Sequence, residues 1–410
     1  MPRAVERVVQ SVSRMGQQLP LRSIGLQSAV PLAWRNIFME KRRMLRSISA
    51  IGFAVLLMMI QLGFRGAFLD SSLEIIRKID ADIIITSASK IRFGRKDPFS
   101  RRQLYAARGI DGVASARPIY GEWMVSAWKN PRSGKPYNVQ LLAFDPDQPV
   151  FLFPEVNANL QALKQPDTAL YDRRARRTLG QAETGTVTEL ARRQIHVLDT
   201  FALGPDFTTD GTVITSDRTY LKFFAPRPLA DGELADIELG IIKVLPAHRV
   251  DDVKRALRQA LPDSIAVRTK AEQVEFEIAF QNSVSSVGPV FALGAAIGFI
   301  VGMMISYQIL YTDLSDQLPQ YATLKAIGYQ NSYLVRVVLE QASIYAFASF
   351  IPAWVLGICL FFVIGELALL PMHMTIGIVT QVFALTLGMC VLSGVLAIRR
   401  VLAADPAEVF

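Results

Sequence analysis

The residue types that most often carry chemistry are sparse and scattered in this chain of 410 residues. Its three histidines, His196, His248 and His373, lie far apart, and its two cysteines, Cys359 and Cys390, both sit inside long apolar runs. Histidines so separated do not suggest a ligand set, and satisfied or exposed imidazoles are the expected reading. A water-exposed domain of this chain has no disulfide to staple it and must rely on an ordinary apolar core. The sequence has no Gly-x-x-x-x-Gly-Lys-Ser/Thr loop to cradle phosphates, no Gly-x-Ser-x-Gly elbow and no His-Glu-x-x-His helix. No catalytic residue, resident metal or cofactor is therefore predicted. The chain must take work from another protein or transmit a signal.

The stretch with a pattern of its own runs from Tyr311 to Arg336. It carries charges and turn residues between two segments apolar enough to cross a membrane, so it belongs in water. Leu318, Ala322 and Lys325 to Ala326 recur at helical steps, with Tyr321 and Leu324 beside them. This marks the face of a short helix that begins at Pro319 and ends with Ile327 before Gly328. Proline suits a first helical turn because its missing N–H needed no partner, and glycine past the end can adopt the left-handed cap. Such a face must be covered. It lies on lipid headgroups, folds back on its own chain, or plugs into a groove on a cytoplasmic partner.

The elements around this stretch follow from composition. Hydrophobic residues make up 51% of the chain, and four runs, Ser47–Phe64, Ile278–Thr312, Gln341–Gly365 and Leu367–Ile398, contain no Asp, Glu, Lys or Arg. Each reaches the ~18 residues that a membrane helix needs, so four spans are predicted. Apart from His373 near an edge they hold no Asp, Glu, Lys, Arg or His, which counts against an ion-coupled carrier. Gly294, Gly298 and Gly302 form a smooth stripe on the second span, suited to close helix packing and more weakly to a homodimer seam. Pro289 and Pro352 bend or begin their helices.

Nine Lys and Arg against two Glu before residue 47 hold the N-terminal side in the cytoplasm, and alternation gives the rest. The expected layout is a cytoplasmic arm and entry helix (1–46), a first span (47–67), an exported α+β domain (68–277), a second span (278–312) and a cytoplasmic loop (313–340). A third span (341–365), a short outer turn (366–375), a fourth span (376–398) and a cytoplasmic tail (399–410) complete it. Residues 1–30 lack the apolar core of a leader peptide. In the entry helix, Trp34, Arg35 and Asn36 sit near the start of an amphipathic pattern that lies in the membrane interface. The net charge of +8 reads as a topology signal and not as a nucleic-acid surface.

Within the exported domain the first span continues as a helix to Asp80. Strands are predicted at 82–86, 114–120, 122–128, 137–144, 194–203, 211–216, 235–245 and 265–269, and helices at 101–109 and 251–261. Residues 149–188 read as a helix-containing insertion whose Arg173, Arg174, Arg176 and Arg177 form a solvated face. One or two α+β lobes of this size can bury a core unaided.

Layout and motifs together resemble the MacB/FtsX family of ABC transporter permeases, and most closely its DevC branch. The residues that carry the resemblance are Leu32-Ala-Trp-Arg-Asn-Ile, Tyr311 through Tyr329, the tail Ala397 to Phe410, and Leu163 through Gly180. The resemblance implies the one-plus-three architecture called type VII. It also implies a coupling helix seated on a separate ABC ATPase of DevA type, which would bind the ATP and Mg. Leu318, Pro319, Tyr321, Ala322, Leu324, Lys325, Ala326, Ile327 and Gly328 would form that seat. Gln320 stands where many relatives carry an acid, which bears on any salt bridge there and leaves the apolar seat intact. It further implies a homodimer in the bacterial inner membrane, a periplasmic adaptor of DevB type and a TolC-type outer-membrane duct, with lipid-like, glycolipid or other hydrophobic cargo. A switch regulating an envelope hydrolase and a lipoprotein-release permease share the layout.

Overall fold

The computed structural model describes residues 41–224, 236–283, 287–320, 323, 327–328 and 330–403, and structural statements concern these residues. By compactness the chain divides into two units, Gly52–Gly302 with Ser349–Thr386, and the remainder. Helix α1, Lys41–Arg77, runs unbroken for 37 residues, or ~55 Å at 1.5 Å per residue. That exceeds the ~30 Å of a hydrocarbon core, so its far end must be covered by protein or water. Three more helices are long and apolar enough to span, namely α8 (Val287–Asp316), α9 (Asn331–Ala368) and α10 (Ile376–Ala403). Pro289 lies in the first turn of α8 and Pro352 inside α9.

Between α1 and α8 lies a mixed α+β domain. Its strands are β1 (Ile83–Ser87), β2 (Val113–Lys129), β3 (Pro136–Phe144), β4 (Thr168–Asp172), β5 (Val187–Leu190), β6 (Arg193–Phe201), β7 (Thr212–Ser216), β8 (Leu239–Val244) and β9 (Ile265–Thr269). Its helices are α2 (Arg101–Arg108), the short α3 (Pro154–Ala158) and α4 (Leu160–Leu163), α5 (Asp217–Phe224), α6 (Val250–Ala260) and α7 (Lys270–Ser283). Strands β9, β1, β8 and the first half of β2 pair antiparallel. The second half of β2 pairs with β3, and the order continues through β7, β4, β6 and β5 back to the end of β2 at Trp128–Leu190. Six strands thus close into a ring, which leaves no free edge among them. Trp128 is buried at the closure, stacked on Tyr171 with centroids 5.0 Å apart, and its indole N–H donates to the Leu179 carbonyl at 3.1 Å.

One strand spans where two are predicted, because Gly121 and Glu122 are absorbed into β2, which bends through register shifts on both sides of Val125. Residues 149–188 are not an insertion: Thr168–Asp172 is a wholly buried strand between β6 and β7. A strand buried on both faces shows no alternation, so periodicity alone misses it. Nearby, Arg173 pairs with Glu155 and Arg176 with Asp210 on the surface. The predicted second span also differs. Residues 278–283 belong to α7, while α8 begins at Val287 and continues four residues beyond the predicted end, to Asp316. A charge-free run cannot separate the two helices, because uncharged polar residues such as Gln281 and Asn282 are counted with apolar ones.

The end of α1 is built into the domain core. Leu73, Ile76 and Ile79 are buried with Phe144, Phe151, Phe153 and Phe201 in one apolar cluster, on which Val274 and Ile278 of α7 also pack. Lys270 at the start of α7 donates to the carbonyls of Arg77 and Ile79 at 2.9 and 2.6 Å, placing a cation at the negative end of α1. Arg65 donates to Asn282 at 3.0 Å. Farther down α1, a Cβ added at Gly63 would overlap the ring of buried Phe361 of α9. Gly63→Val is therefore expected to cost about 1–3 kcal/mol through overpacking. Thermal unfolding of the purified protein in detergent checks this, and an unchanged melting temperature would show that α9 yields at no cost.

Candidate functional site

The segment predicted to couple begins where α8 ends. After the turn at Gln317, Leu318–Gln320 is again helical, Leu318 half-buried and Pro319 exposed. Thr323 donates its hydroxyl to the Pro319 carbonyl at 2.9 Å, and the Ile327 N–H donates to the Thr323 carbonyl at 3.1 Å, both at α-helical spacing. Ile327 is 71% exposed, an apolar side chain without cover. Gly328 has φ +105°, in the left-handed region that glycine enters freely. Tyr321, Ala322, Leu324, Lys325 and Ala326 lie outside the described residues, as do Trp34, Arg35 and Asn36.

Directly before this segment is a buried polar cluster. Asp313, one turn from the end of α8, is 5% exposed. Arg43 of α1 reaches its Oδ1 at 2.6 Å and Asp316 Oδ2 at 2.6 Å, a fork across two carboxylates one turn apart. Asp313 Oδ2 accepts the Tyr345 hydroxyl at 2.7 Å and the Gln341 side-chain amide at 3.2 Å. Gln341 and Tyr345 are four apart on α9 and share a face, so one carboxylate ties α1, α8 and α9 together. Helix α10 joins through Ser393, which donates to the Met303 carbonyl at 2.7 Å, and through Cys390, whose Sγ lies 3.7 Å from Ser306 Oγ.

Sequence reasoning missed this node. Spans drawn as charge-free runs end one residue short of Asp313 by construction. The available signal was an acid at the end of an apolar helix, facing an i,i+4 Gln–Tyr pair on the next, with nothing nearby in sequence to neutralise it.

The glycine stripe faces another way. A Cβ at Gly294 would lie 2.6 Å from the side-chain amide of Gln61, and one at Gly298 would lie 3.1 Å from Met58 Cγ, both on α1. Gly302 is buried. At Gly294 and Gly298 the stripe lies against α1 of the same chain, a close approach between two helices.

In the inserted domain two buried charges pin the segment between β1 and α2. Lys90 and Glu238, 2% and 3% exposed, pair at 2.7 Å. Burial draws the Lys90 ammonium below its usual value, against the attraction of Glu238. Glu277 of α7 accepts the Phe93 N–H at 2.8 Å and the Gln281 amide at 3.1 Å. Burial raises its carboxyl above the ordinary range, opposed by those two hydrogen bonds. Among the described residues no group of His, Cys, Asp and Glu could hold a metal ion.

Residues 292–406 match the family described as FtsX-like permease C-terminal. The four long apolar helices make this a membrane protein, with an α+β domain between the first and second of them. No curated protein matches the chain. Three solved structures resemble it. The periplasmic region of MacB from Actinobacillus actinomycetemcomitans has TM-score 0.34 and 12% identity, covering 51% of this chain and 96% of that one. The extracellular domain of the ABC-type transporter YknZ from Gram-positive bacteria has TM-score 0.28 and 9% identity, covering 46% and 98%. A domain of a putative permease from Porphyromonas gingivalis has TM-score 0.28 and 14% identity, covering 46% and 89%. Similarity at this level carries no functional argument.

Two measurements test the energetics. Arg43→Met strands a buried carboxylate and is expected to destabilise the protein toward the lower end of about 3–5 kcal/mol, while Arg43→Met with Asp313→Leu loses less. Additive losses in denaturant unfolding would mean that the pair is uncoupled. For Glu277 the folded-state pKa lies above the unfolded one, so its contribution is full below the unfolded value and is lost as pH rises through the folded value. Glu277→Gln is expected to raise the melting temperature at neutral pH and to have little effect in mild acid; the opposite ordering would refute the burial argument.

Proposed function

We propose that this protein is the membrane subunit of an ATP-driven export complex in a bacterial inner membrane, with both termini in the cytoplasm, the inserted domain in the periplasm and no catalytic site of its own. The observation that carries the reading is the match of residues 292–406 to FtsX-like permease C-terminal, a stretch within which a water-compatible connector joins two spans and leaves Ile327 uncovered. An ABC ATPase of DevA type, holding the ATP and Mg, seats the face formed by Leu318, Tyr321, Ala322, Leu324 and Ile327. The chain works as a homodimer with a periplasmic adaptor of DevB type and a TolC-type duct, and its cargo is lipid-like or otherwise hydrophobic.

In this mechanism nucleotide binding closes the ATPase pair and displaces the segment 318–328. Asp313 and Asp316 stand five and two residues before Leu318 on the same chain, so a displacement of that segment loads the Arg43 fork and reaches the base of α1. Helix α1 is continuous to Arg77 and its last turns are buried in the core of the inserted domain, which supports transmission by a rigid rod. The thermodynamic requirement is that the ATPase bind two positions of the coupling segment with different affinity.

Replacing both Leu318 and Leu324 with Asp is expected to abolish co-purification of the ATPase and export together, while the thermal stability of the isolated chain holds. If the variant still binds its ATPase and exports, the coupling assignment is wrong.

A further inference from the structure

The loop between β6 and β7 is held by an unusual number of its own side chains. Asp172, 0% exposed at the end of β4, accepts the N–H groups of Leu203 at 3.1 Å, Gly204 at 2.8 Å and Arg174 at 3.0 Å. Asp206 accepts the Thr208 N–H at 2.7 Å and the hydroxyls of Thr208 and Thr209 at 2.9 and 3.0 Å. Arg176 closes the far side, pairing with Asp210 at 3.1 Å and donating to the Asp206 carbonyl at 3.1 Å. Both limbs and the turn are thus fastened to the exit of one ring strand.

A loop so braced would ordinarily present a polar tip to water. Here the tip is Phe207. Its ring stands edge-on to Phe68 of α1, with centroids 5.1 Å apart and planes at 88°, and to Phe291 of α8 at 6.3 Å and 75°. Phe291 in turn stacks on Phe64 of α1 at 5.7 Å. A Cβ at Gly204, where φ is +104°, would lie 3.8 Å from the Leu369 carbonyl in the turn after α9. The ring already packs on the last turns of α1 through Ile76, about two turns above Phe68. The loop therefore adds a second point of attachment on α1 and reaches α8 as well.

We propose that Phe207 is a wedge between α1 and α8, through which relative movement of these helices turns the six-stranded ring. Edge-on aromatic pairs favour one orientation yet can be remade when the helices slide, which suits a joint better than a fixed weld. A rigid, hydrogen-bonded loop passes the displacement to β4 and β7, whereas a slack one would absorb it. The role of this wedge in export rests on the reading that an ATPase drives the helices; its mechanical part does not.

The test is pulsed electron–electron resonance on the full-length chain in lipid nanodiscs, with Cys359 and Cys390 replaced by alanine. Spin labels are placed at Lys135, on the exposed β2–β3 turn of the ring, and at Glu275, exposed on α7. Phe207→Ala and Phe291→Ala are each expected to broaden and shift the distance distribution, and Phe207→Leu, which keeps apolar bulk, to retain it. Unaltered distributions in both alanine variants would overturn the wedge. A change in Phe207→Ala alone would overturn it too, by confining Phe207 to the folding of its own lobe. No ATPase or nucleotide enters this measurement, so its failure leaves the coupling segment untouched, and loss of the coupling assignment leaves this result standing.

Discussion

A helix that leaves hydrocarbon and continues into a protein core cannot bend freely at the boundary, and α1 imposes that condition on the whole molecule. Beyond its first turn the backbone N–H groups of its 37 residues are committed to the helix, so a hinge inside it would leave polar groups unpaired near lipid. No proline interrupts it, and its last turns supply Leu73, Ile75 and Ile76 to the core of the inserted domain. The domain is thus built around the end of a rod. Lys270 fixes that end by satisfying the carbonyls of Arg77 and Ile79, and α7 lies beside it.

At the other end of the rod the constraint is electrostatic. A carboxylate at Asp313 is tolerable among packed helices because a guanidinium, a phenol and an amide satisfy it from two other helices. Apolar contacts alone would let α1, α8 and α9 slide past one another at modest cost, since side chains facing lipid or protein are equally out of water. A charge with fixed partners does not slide. The node therefore sets the register of three helices immediately before the connector that carries Leu318.

Much of this was legible in the sequence because it rests on patterns that a single chain displays. Charge-free length gave the four helices, and β1, β3, β9, α2 and α6 are recorded in runs of apolar residues at periods of two or of three to four. The ring was not legible. Its closure depends on Trp128 meeting Leu190, residues of no special local pattern, and on Thr168–Asp172, whose burial on both faces erases the alternation that marks a strand. The node was hidden for a related reason, since Arg43 and Asp313 are 270 positions apart and each looks like a boundary residue when read alone. Glycine is ambiguous in a third way: a smooth stripe says that something approaches closely, and only the position of Gln61 and Met58 says that it is the chain's own first helix.

The polar and aromatic contacts of this protein are not spread evenly along its long helices. They gather where a helix changes surroundings: Arg43 and Asp313 before the connector, Phe64, Phe68 and Phe291 where α1 and α8 meet the loop of Phe207, and Lys270 at the end of α1. At Gly298, between these places, a methionine lies against a bare backbone. Dispersion falls away slowly under small sliding displacements, whereas a bidentate ion pair or an edge-on ring is specific to one register. The Arg43 fork and the edge-on ring of Phe207 therefore fix the arrangement of the helices they join more closely than the apolar contact at Gly298 does.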